Sequence, residues 1–489
     1  MLNIIVYTII VMTIKTDFIN RKSELKYLNE EYDKHDFRFI SVIGRRRLGK
    51  TRFIQEYLKN KPNYSYFLVP ELNDMDIRLE LSRKFHENFG LSFIGTPSWN
   101  EIFENLFVHS QDKRIIVVFD EFQRFFDINK TVFSLLQEYI DKYGKDSKMI
   151  LIVSGSSIGM MHKIFDYASP LYGRRSGQLY FQPFNFFTLK DWFPTYSINR
   201  LVEIYAIYGG TPKYLEDVES EDIMENIQRM LSKTSVLYNE PEILIKTEIS
   251  DSHSYFNILK HISQGVSRSS EIASYSDLKT TSIDYYMNVL INDMDILKKE
   301  KPVTESKKSK KSIYLMRDNF FRFWFKYIYP NYSELEIGNN ARIMEKIDAE
   351  LNTFISQTFE DIAQQFLIEL NRSSKLPFVF GKIGRQWGKF KGEKGKNIYE
   401  INIVALNENT KDILFCECKW ENKKTDVGVL DDLQRKSGFV DWYNKERNEY
   451  FAVISKSGFT HKSKKFAKQN GFLLFELDDL DKVIPRRTT

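Results

Sequence analysis

The sequence predicts an α/β protein in three parts, and three observations carry that reading. Between residues 37 and 186 apolar runs alternate with helical stretches, and the first run leads into Gly44-x4-Gly49-Lys50-Thr51. Strands alternating with helices in this way predict a three-layer parallel sheet. Residues 254–318 read as three short helical units and two strands round a lysine-rich loop, and residues 346–489 return to mixed helix and strand. A chain of 489 residues fits about three domains at roughly 150 residues each.

"LNIIVYTIIVM" (2–12) is apolar but lacks a basic flank and a small-residue cleavage site. It is also shorter than the roughly 20 residues a spanning helix needs. Residues 1–16 are therefore read as a leader from an over-called start, with Met12 the preferred first residue, ahead of a loose strand or a membrane anchor. "DFINRKSELKYLNEEY" (17–32) predicts a turn and an amphipathic helix through Leu25, Leu28 and Tyr32. "FRFISVIG" (37–44) is a buried strand, and a helix follows from Lys50. Ile115–Phe119 are five consecutive apolar residues ending at Asp120, as suits a parallel strand covered on both faces. "MILIVSGSS" (149–157) and "GQLYFQPFNF" (177–186) complete a core over 17–186, and 187–240 turns helical.

Helical units at 254–265, 268–276 and 279–294, then two strands, make a winged helix over 241–318. "NFFRFWFKYIYPN" (319–331) predicts a buried aromatic connector within 319–345. The last part, 346–489, is expected to hold a helix at 346–370 and strands at 398–406, 412–420, 449–455 and 472–476.

Composition excludes a disordered chain: 42% of residues are hydrophobic and 28% charged. The net charge of +5 is small, but "KKEKPVTESKKSKK" (298–311) sets seven lysines against two glutamates and by itself equals that excess. Cys416 and Cys418 lie two apart, too close along one strand for an easy disulfide and too few for zinc. They indicate a reducing, cytoplasmic compartment.

The glycine loop follows an apolar strand and opens a helix, the context a phosphate cradle needs. Its backbone N–H groups close round phosphate at the positive end of that helix. Gly44, Arg45, Arg46, Arg47, Leu48, Gly49, Lys50, Thr51 and Arg52 are the expected nucleotide-binding residues. Lys50 would reach the β and γ phosphates of ATP, and Thr51 would ligate Mg²⁺. Asp120 would hold the metal's shell, and Glu121 would act as general base on the attacking water. The next strand ends in Ser154-Gly155-Ser156-Ser157, and one of these serines, Ser154 the first candidate, would orient that water or sense the γ-phosphate, or would cap a helix. Arg174 and Arg175 read as arginine fingers or as a solvated turn. The three loop arginines would do similar work or face solvent or the lid.

"FINRKSEL", "GRRRLGKT", "VVFDEFQRF", "SGSS", "YGRRSG" and "YGGTPKYL", in that order, resemble the archaeal ATPase family of the STAND branch of P-loop ATPases, over roughly residues 17–235. The resemblance implies an ATP switch with a helical lid. It places Arg21 near the adenine pocket and Gly209, Gly210 and Pro212 in the lid motif beside the nucleotide. On residue type alone, Gly-Gly-Thr-Pro is also a tight turn between helices.

"YEINIVALNENTKDILFCECKW" resembles the restriction-endonuclease-like PD-(D/E)xK core as it occurs in the DUF234 family. That likeness implies Mg²⁺-gathering carboxylates at Glu360 and Glu417, Lys419 beside them to help activate water, and an Asp where this chain has Asn402. An amide oxygen brings no charge, so nuclease activity is expected to be absent. Glu400, two residues from Asn402, shares its strand face and is the candidate substitute. The alternative for Glu417 and Lys419 is a plain ion pair. The winged helix is read equally as a DNA-binding or a protein-packing module, since its expected recognition helix carries one Lys and two Asp.

Together these readings describe an ATP-hydrolysing switch, coupled to DNA through Lys298–Lys311 and the C-terminal domain, in a possible homo-oligomer without a membrane partner. The alternatives are an ATP-gated, metal-dependent nuclease and a nucleotide-controlled scaffold.

Overall fold

The computed structural model describes residues 18–306, 308–390 and 397–483. The expected leader at 1–16 and Lys307 of the lysine-rich loop lie outside the described residues.

The first half is built on five parallel strands: β1 (Arg38–Ile43), β2 (Tyr64–Leu68), β3 (Ile116–Asp120), β4 (Ile150–Gly155) and β5 (Gly177–Tyr180). Their order is β2-β3-β4-β1-β5. The apolar runs divide cleanly between two faces, because successive side chains of a strand point to opposite sides. Phe39, Val117, Phe119, Leu151 and Val153 pack under one layer of helices. Ile40, Val42, Val118, Ile150 and Ile152 pack with Phe53, Ile54 and Tyr57 under the other. Ile43 pairs with Gly155, and Val153 with Phe119. This register brings Gly44, Asp120–Glu121 and Ser154–Ser156 to one edge of the sheet.

After β5 come short helices, among them Ile198–Tyr208, Pro212–Leu215, Ile223–Met230 and Glu240–Glu248. Helices His253–Ser263, Ser269–Tyr275 and Ile283–Asn288 precede an antiparallel hairpin of β6 (Leu297–Glu300) and β7 (Ile313–Met316). The expected helix at 279–294 is shorter and ends in a π-turn, Val289–Asp293.

The aromatic segment is buried as expected. Trp324 is fully enclosed and donates from Nε1 to the Tyr238 carbonyl at 2.7 Å. One apolar core runs from the helices after β5, through this segment, to the last sheet.

That last sheet has the order β12-β11-β10-β9-β8, formed by β8 (Lys382–Lys389), β9 (Ile398–Asn407), β10 (Asp412–Lys419), β11 (Asn448–Ser455) and β12 (Phe472–Glu476). β8–β10 are antiparallel and β10–β12 parallel. The helix expected at 346–370 spans Asn340–Arg372. β8 was not expected. Its sequence, KIGRQWGK, has too few apolar residues to show an alternation.

Candidate active site

The loop after β1 is shaped by close backbone packing. A Cβ on Gly44 would lie 2.7 Å from the Phe181 carbonyl oxygen, so only glycine fits. Gly49, at φ 81°, opens the helix Lys50–Leu58. Leu48 is buried in the core under the sheet, and Arg52 lies exposed on the first helical turn.

Lys50 is 6% exposed and donates to the carbonyls of Gly44 at 2.6 Å and Arg45 at 2.9 Å. Burial lowers its pKa to about 8, against the pull of the Glu121 and Asp120 carboxylates. The ammonium therefore stays largely charged at neutral pH. An arriving phosphate would favour that charged form further.

Asp120 is the hub of the site. The Thr51 hydroxyl donates to its Oδ2 at 2.7 Å, Tyr66 donates to the same oxygen at 2.6 Å, and Ser154 donates to Oδ1. Burial beside that carboxylate pushes the Tyr66 hydroxyl well above its ordinary pKa, so it remains a donor. Ser154 thus serves Asp120. The residue that meets Glu121 is Ser156, whose hydroxyl donates to Oε2 at 2.7 Å, joined by the Gln123 amide. Glu121 sits in the left-handed region at φ 56°, a strained conformation for a non-glycine residue. Sequence reasoning missed Tyr66 and Gln123. It reached the serines of the SGSS run with Ser154 as the first candidate, and the structure assigns Ser156 to Glu121. Tyr66 lies on a strand without a motif.

The donor set fits Mg²⁺. A hydroxyl and a carboxylate oxygen lie together, and this metal commonly takes one or two protein oxygens plus phosphates and water. Among the described residues no cluster of three His, Cys, Asp or Glu could hold a metal by itself.

The three loop arginines face the rest of the chain. Arg45, 8% exposed, donates to Asp318 Oδ2 at 2.9 Å and to the Asp295 carbonyl at 3.3 Å. Its guanidinium lies 5.1 Å from the Phe321 ring centre. Burial works against its charge, but the carboxylates of Asp318 and Asp295 outweigh it and raise the pKa. Arg47 grips Glu240 with two hydrogen bonds, at 2.8 and 3.1 Å. Arg46 lies 3.7 Å from Glu248. A cavity of about 30 Å³ on this side of the loop is lined by Arg45, Arg46, Ser156, Leu244, Asp293 and Phe321, among others.

Several expected site residues lie elsewhere or are already engaged. Arg174 pairs with Asp141 at 2.8 Å. Arg175 stacks 4.1 Å from the Phe165 ring centre and donates to Ser41 at 3.0 Å. Ser176 follows them and donates from its backbone N–H to the Phe39 carbonyl. This places the Arg174–Ser176 backbone beside the start of β1, and the Arg175 guanidinium reaches only as far as Ser41, about 10 Å of strand from Gly44 at roughly 3.3 Å per residue. Within one chain they are not fingers on the phosphate.

Arg21 is packed close to the loop. Its guanidinium lies 4.4 Å from the Phe181 ring centre and donates to the Gln182 carbonyl at 2.6 Å and to Glu24 at 3.1 Å. Gly210 abuts the Phe184 backbone, where a Cβ would come within 1.9 Å of its carbonyl oxygen. Gly209 takes φ 65°, and Pro212 opens a helical turn.

In the last domain a cleft of about 690 Å³ gathers Glu360, Asn402, Glu417 and Lys419. Both carboxylates lie beside a cation, although Oε2 of Glu360 and Oε2 of Glu417 accept no hydrogen bond among the described residues. Arg385 lies 2.8 Å from Glu360, and Lys419 lies 3.0 Å from Glu417. Asn402 Oδ1 accepts the Cys418 N–H at 3.0 Å. Burial pushes the Glu360 carboxyl up to about 7, against the Arg385 charge. Glu400 does not stand in for the missing Asp: its side chain is 59% exposed and faces Arg385 at 4.0 Å, outside the cleft.

Lys298, expected in a free wing, is half-buried and paired. It bonds Asp361 at 3.0 Å and Glu300 at 2.8 Å. No helix among the described residues is long and apolar enough to cross a membrane.

Comparison with known proteins fits this geometry. Residues 18–218 match a family described as an ATPase domain predominantly from Archaea. Residues 324–429 match DUF234, described as Archaea bacterial proteins of unknown function. An uncharacterized protein of Methanocaldococcus jannaschii is 38% identical over 469 residues, 94% of this chain and 99% of its own. An uncharacterized ATP-binding protein of the same organism is 43% identical over 44 residues, 9% of this chain and 75% of its own. The solved Walker-type ATPase of Pyrococcus abyssi shares the fold, with a TM-score of 0.51 at 20% identity over 64% of this chain and 97% of its own. The chain belongs to the archaeal ATPase family, with its ATPase domain at the N-terminus and a DUF234 domain at the C-terminus.

Proposed function

We propose that the protein is a Mg²⁺-dependent, ATP-hydrolysing switch, that its nucleotide state is passed to the C-terminal half through Arg45, Arg46 and Arg47, and that its output is DNA binding. The observation that carries the hydrolytic reading is the pair Asp120–Glu121. One carboxylate meets Thr51 at the mouth of the loop, and the next is held by Ser156 and Gln123. Lys50 and the loop N–H groups would hold the phosphates, and Thr51 and Asp120 would hold the metal. When bound, Mg²⁺ would neutralise charge on the phosphate oxygens. Glu121 would take a proton from water, once Ser156 and Gln123 release it toward the γ-phosphate.

The switch reading rests on the loop arginines. They tie the phosphate loop to the Glu240–Glu248 helix and to Asp318, so a rearrangement of the loop on nucleotide binding would be felt by both. The DNA reading rests on Lys299, Lys308, Lys310 and Lys311, which stay exposed although Lys298 does not. Against the nuclease alternative stand the pairing of Glu360 and Glu417 with cations and the engaged oxygen of Asn402. Cys416 and Cys418 are both free and buried, which suits a reducing cytoplasm.

The full chain is expected to release phosphate from ATP with Mg²⁺ and not with a chelator, and duplex DNA is expected to raise that rate. No turnover with Mg²⁺ would overturn the hydrolytic switch. A rate indifferent to DNA, with no DNA bound, would overturn only the DNA output.

A further inference from the structure

The loop joining β6 to β7 is docked along β8. The Val303 N–H donates to the Arg385 carbonyl at 3.0 Å, and the Thr304 hydroxyl donates to Gln386 Oε1 at 3.1 Å. Held there, the loop helps form a groove of about 990 Å³. The start of the Ser269–Tyr275 helix, the start of the Ile283–Asn288 helix, β6, β7, β8 and β9 supply most of the rest of its lining. The groove therefore joins the three-helix segment to the last sheet, and neither builds it alone.

Arg268, Lys299, Lys310, Lys311 and Lys389 line this groove against one carboxylate, Asp284. All five cations are exposed. Two have acidic partners: Arg268 lies 3.7 Å from Glu271, and Lys311 lies 2.5 Å from Glu305. Exposed pairs of this kind contribute at most about 1 kcal/mol, so a polyanion can displace them. A concave surface lined by one sign of charge focuses the field and concentrates the opposite ion. Five Ser or Thr side chains in the same lining add hydroxyl donors suited to phosphate oxygens.

Two further observations select among polyanions. The half-buried Trp387 lines the groove, and an aromatic face stacks any nucleic-acid base irrespective of sequence. An acidic polypeptide has no matching group. The Ile283–Asn288 helix contributes Asp284 and no cation, so that helix presents no Arg or Lys to read guanine edges.

We propose that this groove binds the phosphate backbone of a nucleic-acid strand without reading its bases. The inference rests on nucleic acid being the partner, as proposed above, and supplies the site and the mode of contact.

The test uses the full chain and fluorescein-labelled single strands and duplexes of about 16 nucleotides, each in two unrelated sequences, with polyglutamate as a competitor. Anisotropy is read between about 50 and 200 mM salt. With three to five phosphate contacts, log K should fall against log salt with a slope of about −3 to −4.5 for duplex, equally for both sequences. Single strands should give a shallower slope, near −0.7 per contact.

Replacing Lys310, Lys311 and Lys389 together by Ala should reduce the duplex slope by about 2 to 3 and weaken low-salt binding at least about tenfold. All three are exposed, so the fold should stand. Replacing Lys445, Lys465 and Lys468, equally exposed and outside the groove, should change neither quantity. If the groove variant binds as the parent does, the groove is wrong while the partner reading stands. If the parent binds neither strand form, both fall. Displacement by polyglutamate at lower concentration than by unlabelled strand would reassign the groove to an acidic polypeptide. A strong preference between the two sequences would overturn the backbone-only mode.

Discussion

Replacing Glu121 by Gln is expected to lower ATP turnover by roughly 10²–10⁴-fold, the usual contribution of a positioned general base, while ATP affinity changes little. The substitution is isosteric. The new amide keeps an oxygen to accept from Ser156 and Gln123, which hold Glu121 now, so its place beside the loop should persist. What disappears is the ability to take a proton. Steady-state phosphate release, set beside binding of a fluorescent ATP analogue, separates the two effects. Turnover within a few-fold of the parent would move the base elsewhere. Loss of binding instead of turnover would make Glu121 a structural support for Lys50, whose buried ammonium it faces electrostatically.

The second large effect concerns the contact between the loop and the C-terminal half. Asp318→Asn is expected to cost about 3 kcal/mol or more of stability, in the range for breaking a buried ion pair by removing one partner. Asp318 Oδ2 meets Arg45 at 2.9 Å, and both side chains are at most 10% exposed. Asp318 Oδ1 also accepts the Phe321 N–H at 3.0 Å and so caps the Asn319–Phe323 helix. Asparagine keeps an oxygen for that cap, which leaves the lost charge as the main change. The double variant Arg45→Met with Asp318→Asn should be less destabilised than Asp318→Asn alone, because no uncompensated guanidinium remains buried. Urea denaturation of the single and double variants measures both. Equal stability of Asp318→Asn and the parent would mean that Arg45 finds another partner, and that the clamp is weaker than its geometry.

The central strands β1, β3 and β4 were legible because both faces are covered, whereas the edge strand β2, Tyr64–Leu68, half exposed and without a continuous apolar run, was not expected. A run such as Ile115–Phe119 must be apolar throughout, and it delivers Asp120 to the edge where β1 ends. Lys50, Thr51, Asp120 and Glu121 were legible for the same reason: a loop bounded by a strand and a helix fixes its neighbours. The partners of charges were not legible. Arg45, Arg46 and Arg47 look like one basic tract in the sequence, yet each meets an acid roughly 200–270 positions away: Asp318, Glu248 and Glu240. Lys298 belongs by composition to the exposed loop, but Asp361 and Glu300 hold it against the protein, half-buried. Arg174 and Arg175 stand in a motif, and only the direction of β5 shows that they sit at the wrong end of the sheet for the phosphate. Glu400 and Asn402 share a strand face by alternation, but Arg385 turns one outward while the Cys418 N–H holds the other. β8 supplies that arginine, and β8 itself carried no signal.

The central claim is that ATP at the loop is felt by the C-terminal half through the three arginines. Hydrogen exchange on the full-length Glu121→Gln protein, saturated with Mg²⁺ and either ATP or ADP, tests it most directly. Exchange is expected to differ between the two states within Glu240–Glu248 and 295–318, which hold the partners of Arg45, Arg46 and Arg47. Identical exchange in those segments, with differences confined to the loop and the Lys50–Leu58 helix, would contradict the account and leave an ATPase whose nucleotide state goes no further than its own site.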